Sequence, residues 1–533
     1  MGKLIPLAVA LLVAPLAAQH LEHAGQLGTV RFANSCAAGV QPGFGRGMAL
    51  LHSFEFGPAI DAFKAAHDAD PGCTIALWGI GLAQWGNPFG IGARPPAQLQ
   101  AGRSTVQRAI ADGAKTERER DYIAALGALY ANFETVDQRA RILAYRDAMD
   151  RVAAKYPDDP EAATFYALAL AAAADPADKT YADQLKAGAI LEKLWAAHPD
   201  HPGLAHYIIH SYDVPALAPK AIDAARRYGT IAPDAPHALH MPSHTFTRLG
   251  YWQDSIDTNM LSAAAAHKAG GTYEELHATD YEVYAYLQTG QDAAAKRLVD
   301  AVPAIIAGAG SNAAGSAAPA AAGAFAVAAI PARYALERGA WAEAVRLDIH
   351  RGPFAHTEAI TWFARALGAA RNGDVAVAKD AVDQLQKDID RLSGQKETYW
   401  VEQVSIQKLG ASAWIALAED DADGALAAMR EAADREDRTE KSAITPGPLA
   451  PARELLGEMF LQLKRPKDAL AEFKKTMAKE PNRFRGIAGA AHAAAEAGDR
   501  AAARQYYAQL LEICKKADEP GRKELQAARA ATR

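Results

Sequence analysis

Three cysteines in 533 residues, none in a C-x-x-C pair, leave little material for thiol redox chemistry. The sequence also lacks a GxxxxGK[ST] loop and a GxSxG elbow, which removes the usual marks of nucleotide hydrolysis and α/β-hydrolase chemistry. No long run of one charge sign occurs, and 57 basic residues face 63 acidic ones for a net charge of −6. A nucleic-acid partner is therefore not expected, because binding one needs a basic footprint. The charge pattern gives no support for docking to anionic lipid either. No segment shows sustained period-two alternation, so strands are not expected.

Long hydrophobic runs are missing as well. The apolar stretch Leu4–Leu16 falls short of the ~20 residues that cross a bilayer. It follows Lys3 and precedes Ala17-Ala18-Gln19, the layout of a secretory signal peptide over residues 1–19. No cysteine follows it, which argues against a lipid anchor. The expectation is an exported chain, periplasmic or secreted, with no membrane span once mature. In that setting Cys36 and Cys73 can form a disulfide across the first helical hairpin, or remain two buried thiols. Cys514 reads as a buried helix residue.

What the sequence has in abundance is alanine, as in Ala171–Ala174 and Ala263–Ala266. Alanine is the best helix former and lets neighbouring helices approach closely. Residues 450–483 place Leu456-Gly457 and Phe460 in one helix, Ala469 and Phe473 in a second, and Pro481 at the close. This is the scheme of the ~34-residue tetratricopeptide unit. Residues 484–517 repeat it with Ala503 and Tyr507. Near the N-terminus Gly47, Ala59, Phe63, Ala66, Pro71 and Gly81 stand at repeat spacing. Further helix pairs are predicted at 118–155, 160–197, 243–270, 276–301, 324–351, 356–391 and 397–436. The predicted fold class is all-α, a tetratricopeptide-repeat-like α-solenoid of antiparallel helical hairpins. Degenerate repeats are expected over 20–445 and regular ones over 446–533, divided by Pro446-Gly447-Pro448. Gly308–Ala322, rich in Ala, Gly and Ser, reads as a surface insertion or mobile loop.

Nine of the 16 histidines fall between His198 and His277. His206 and His210 stand four apart, with Asp213 three further on, a spacing that shares one helix face. The string His237-Ala238-Leu239-His240-Met241-Pro242-Ser243-His244 forms a second element, with Pro242 suited to a first helical turn. Imidazole is a common ligand for zinc, copper, iron and nickel. The preferred metal set is His206, His210, His240 and His244, with Asp213 as ligand or support and with His237, His277 and Asp280 in supporting positions. No glutamate lies between the paired histidines, so the metalloprotease motif is absent, and Asp213 or Asp280 would have to supply a base. His198, His201 and His267 read as turn or capping residues.

Smaller features invite a structural reading first. His52 and Glu55 stand near Trp78 and Trp85 in repeat space, as packing residues or the lining of a groove. Tyr399-Trp400 reads as core or concave-face lining. Arg333, Arg365 and Arg371 read as ion-pair partners, or as anion binders.

The strings His201-Pro202-Gly203, His206–His210 and His237–His244 resemble a family of bacterial exported tetratricopeptide-repeat proteins with an HYIIH…HMPSH signature. Leu51-His52-Ser53-Phe54, Leu77-Trp78-Gly79, Tyr284–Gln288 and Thr445–Pro448 extend the resemblance over nearly the whole chain. It implies fold and export and hands over neither a reaction nor ligands. This chain has Ser442 where a histidine is expected after Lys441. Two functions follow from the sequence. One is a scaffold whose concave groove receives a protein or peptide, or which takes a small ligand at the histidines. The other is a metal-binding protein or metal-dependent enzyme using zinc, copper or iron at the cluster.

Overall fold

The computed structural model describes residues 25–308 and 318–533, among which there are 26 α-helices and no strand. The signal-peptide expectation for residues 1–19 and most of the insertion expected at 308–322 lie outside the described residues. No helix among the described residues is long and apolar enough to cross a membrane.

The helices form antiparallel hairpins, each packed on the next, in the manner of a tetratricopeptide-like solenoid. Local chemistry sets their ends. Thr116 and Glu119 form a reciprocal capping box at the start of Glu117–Tyr130. Aspartate side chains cap Gln138–Lys155, Pro160–Ala172, Val375–Gly394, Ala422–Asp437 and Arg500–Ile513.

Packing repeats as well. A β-carbon on Gly47 or Gly79 would lie 2.8 or 2.6 Å from the Phe63 ring, and one on Gly457 or Gly489 would lie 2.9 or 2.3 Å from Phe473. In both places a phenyl ring wedges between two bare helix backbones, which is why these positions hold glycine. The expected pairs at 118–155, 160–197, 243–270, 276–301, 356–391, 397–436, 450–483 and 484–517 each appear as two helices. The 324–351 pair has only a short second arm, Trp341–Val345. The sequence reading did not pick out Lys523–Thr532 as a helix.

Cys36 and Cys73 form a disulfide, and Cys514 is a buried free thiol. The winding brings distant hairpins together. Trp252 donates to the carbonyl of Asn482 at 2.7 Å, and the Asp518 amide donates to Gly290 at 3.1 Å. An apolar cluster runs from Phe325 to Ala493, through residue 446 without a break.

The centre of the winding positions the site. Every residue of Pro202–Ser211 is buried, as are nearly all of Pro236–His240, Pro242–Leu249 and Thr272–Gln288. Helices buried all round belong in a core, where apolar faces are the rule. Yet their buried faces carry six imidazoles.

Candidate metal centre

His206 and His210 project from Pro202–Ser211 and meet His237 from the next helical element. One ring nitrogen from each of the three lies within 4.8 Å of the others. His240 ends Pro236–His240, His244 stands inside Pro242–Leu249, and His277 comes from Thr272–Gln288. These three form a second trio with the same closeness. The trios adjoin: the rings of His210 and His244 are 6.1 Å apart, as are those of His237 and His240.

Hydrogen bonds outside the trios settle which nitrogens are bare. His206 Nδ1 donates to the backbone carbonyl of His52 at 2.7 Å. His244 Nδ1 donates to Asp213 Oδ2 at 2.9 Å. His240 Nδ1 donates to Asn259 Oδ1 at 2.8 Å, while the Asn259 amide donates to the Ser255 carbonyl at 2.7 Å and so fixes which end faces the ring. Each of these neutral imidazoles therefore keeps a lone pair on Nε2. The His240 and His244 Nε2 atoms face one another at 3.1 Å. The Nε2 atoms of His206, His210 and His237 and Nδ1 of His277 are buried with no hydrogen-bond partner. Leaving one buried polar group unpaired costs ~1–3 kcal/mol, so this concentration is costly unless a ligand meets it.

Electrostatics keep the rings neutral. Burial holds His206 and His277 down to about 3 and pushes His210, His237 and His240 well below the usual histidine range. Burial also lowers His244, outweighing its bond to Asp213. Burial acts to raise the Asp213 carboxyl, but Lys441 and Arg248 beside it prevail and hold it well below the carboxylate range. Burial brings Lys441 down to about 8.

The surroundings are aromatic. Phe54, in the left-handed region at φ 58°, packs against His206, His210 and His237, with ring centroids 4.3, 5.6 and 5.7 Å away. A phenylalanine held in that conformation stores strain of the kind found at ligand sites. Phe89 stacks on His210 at 4.1 Å, and Tyr281 stacks on His244 at 5.1 Å. The Tyr281 hydroxyl lies 3.0 and 3.2 Å from the carbonyls of Thr445 and Ala443, and 3.4 Å from His244 Nε2.

The four preferred histidines divide between the two trios, and His237 and His277 complete them rather than supporting from outside. Asp213 lies beyond the end of Pro202–Ser211, where it bonds His244 and pairs with Arg248 at 2.9 Å. Asp280 stands apart, paired with buried Arg333 at 2.8 Å. Arg371 pairs with Glu458 at 2.6 Å, and Arg365 lies over Trp362. Among the turn histidines, His201 bonds Glu161 at 2.9 Å and exposed His267 pairs with Glu275. Sequence reasoning missed Asn259, Phe89 and Lys441, which have no spacing relation to the histidines. It also left His52 and Glu55 as packing or groove residues. His52 bonds Glu161 at 3.0 Å and supplies the carbonyl to His206, and Glu55 accepts from the His237 amide at 3.3 Å. A histidine-carboxylate group, His52, Glu161 and His201, thus backs the first trio.

No protein-family model matches the chain, and no curated protein matches it in sequence. Solved structures similar to it include the human IFIT1 dimer with PPP-AAAA, at 10% identity over 82% of this chain and 90% of that one, with a TM-score of 0.35. Yeast Tom70 aligns at 9% identity over 91% and 87% of the two chains, with a TM-score of 0.28. The APC/C hetero-tetramer Cut9-Hcn1 aligns at 12% identity over 91% and 95%, with a TM-score of 0.25.

Proposed function

We propose that this protein is a metalloprotein in which each histidine trio holds one transition-metal ion, zinc, copper or iron, on the helical-repeat scaffold. The observation that carries the reading is the pair of bare Nε2 atoms on His240 and His244, facing each other at 3.1 Å with both Nδ1 protons committed elsewhere. Two lone pairs at that distance repel, and a cation between or beside them removes the repulsion. A single shared proton would satisfy this pair and leave four other buried nitrogens unmet. The outer bonds to His52, Asn259 and Asp213 are the kind that orient metal-bound imidazoles and fix their tautomer.

Three neutral imidazoles leave a coordination position free, where bound water can be activated or dioxygen taken up. The donor set contains nitrogen alone, which suits zinc, copper or iron over magnesium or calcium. The Cys36–Cys73 disulfide supports an exported setting, since such bonds persist in oxidising compartments.

The test is elemental mass spectrometry on the untagged full chain, before and after reconstitution with zinc, copper and iron. About two equivalents of one metal are expected, falling to about one in His240→Ala/His244→Ala and in His206→Ala/His210→Ala. Circular dichroism checks that the variants fold. No bound metal in the parent under any of these conditions would sink the reading.

A further inference from the structure

A cavity of about 640 Å³ lies beside the histidine cluster but contains none of its ligands. That volume is in the range of small-molecule sites, ~300–1,000 Å³. Its walls bring together parts of the chain far apart in sequence, among them Phe56, Trp85, Phe354, His356, Trp400 and Ile444.

Most polar groups at its edge are already engaged. Arg94 donates to the carbonyls of Trp85, Gly90 and Asn87. Gln98 donates to the carbonyls of Gln84 and Trp85 at 2.8 and 3.1 Å. Glu397 accepts the Ala93 amide. His356 differs. It is 7% exposed, its ring lies flat on Trp400 at 4.0 Å with 5° between the planes, and its Nε2 has no partner. Burial keeps this imidazole neutral, with its pKa pushed down to about 3. A neutral ring nitrogen either donates or accepts, and a hydroxyl group can answer both. The aromatic walls offer flat faces for stacking.

We propose that this cavity binds a neutral aromatic molecule carrying one hydroxyl group, a phenol in chemical class, with the hydroxyl on His356 Nε2 and the ring between the aromatic walls. An anion would meet the Glu397 carboxyl while the Arg94 donors are occupied. A cation would meet the Arg94 guanidinium at the same edge as the Glu397 carboxyl and the unpaired Gln84 Oε1. Phe56 belongs to the cavity wall and stacks on Phe54 at 5.2 Å, and Phe54 meets His206 at 4.3 Å. A bound phenol is thus separated from the cluster by two rings. Binding itself does not depend on metal at the histidines.

The test is equilibrium dialysis of the full chain, as purified and after chelation, against 2-naphthol, naphthalene and 2-naphthoate. One saturable site for 2-naphthol is expected in both preparations, with naphthalene and 2-naphthoate each bound at least ten-fold more weakly. His356→Phe is expected to bring 2-naphthol to the level of naphthalene without changing naphthalene. Ile91→Trp, placed at a half-exposed loop position of the wall, is expected to abolish binding of both by filling the space. Circular dichroism follows folding of both variants, and if His356→Phe does not fold, the parent's naphthol-to-naphthalene ratio and Ile91→Trp decide. No saturable binding of 2-naphthol, equal binding of naphthol and naphthalene, or a folded His356→Phe that keeps the preference would overturn the proposal. Failure of the metal reading would leave this result untouched, since the chelated protein is assayed separately.

Discussion

The Nδ1 proton of His206 is held by the main-chain carbonyl of His52, 2.7 Å away and 154 residues earlier in the chain. The first helical hairpin thereby sets the tautomer of a ring in the middle of the solenoid. The same His52 ring stacks on Phe165 and bonds both Tyr207 and Glu161, so its position is determined from several sides.

Gly203 tests that relationship. A β-carbon there would lie 2.3 Å from His52 Nδ1, closer than real contacts allow. Gly203→Ala is expected to shift His52, loosen the carbonyl behind His206, and destabilise the fold by about 1–3 kcal/mol, the usual cost of overpacking. Metal content should fall by about one equivalent. Denaturant titration and elemental analysis of the same sample measure both.

Asp213 pairs with both buried Arg248 and buried Lys441, ahead of the more distant Glu480, and is also the acceptor for His244. Asp213→Asn removes the charge and leaves two buried cations without their paired carboxylate. A loss of about 3–5 kcal/mol is expected, as for other broken buried pairs. A urea midpoint equal to that of the parent would contradict this account.

Glu282 sets a pH dependence. Burial raises its carboxyl from 4.5 to about 7. The folded state therefore holds this proton more tightly than the unfolded chain does. Its effect on stability is nil below about pH 4.5, grows unfavourable as pH rises from 4.5 to about 7, and is constant above. Each tenfold difference in proton affinity between the folded and unfolded chain is worth about 1.4 kcal/mol. Glu282→Gln should therefore raise stability by roughly 3–4 kcal/mol at pH 8 and change it little at pH 4.5. Thermal melts of both proteins at the two pH values give the comparison.

The Cys36–Cys73 bond closes a loop with a sequence separation of 37. Chain entropy assigns a loop of that size about 3–4 kcal/mol. Cys36→Ala/Cys73→Ala should lower stability by that order, and reductant should then have no further effect on the variant.

Much of the architecture was legible in the sequence, because tetratricopeptide hairpins are stabilised by neighbours. Gly457 and Phe473 stand at a short fixed offset that the repeat scheme reads directly, and the structure adds Gly489 on the other side of the Phe473 ring. The same holds for the turn at Asp159-Pro160, where cap and proline are adjacent. The histidines were legible as a dense group, and His206 with His210 shares a helix face by periodicity.

How those histidines divide was not legible. His237 joins His206 and His210, and His277 joins His240 and His244, because the winding of the solenoid sets the angle between successive hairpins, and no local spacing encodes that angle. The supports of the rings lie still further off: His52 reaches His206 across 154 residues, and Lys441 reaches Asp213 across 228. Sequence by itself determined most of the helices, most of their pairing and the presence of a histidine-rich segment, since these depend on propensity, capping and contacts within about 34 residues. Only the tertiary structure decided which nitrogens are bare, since a ring's tautomer follows from the acceptor placed at its other nitrogen, and those acceptors arrive from hairpins that fold back from elsewhere in the chain.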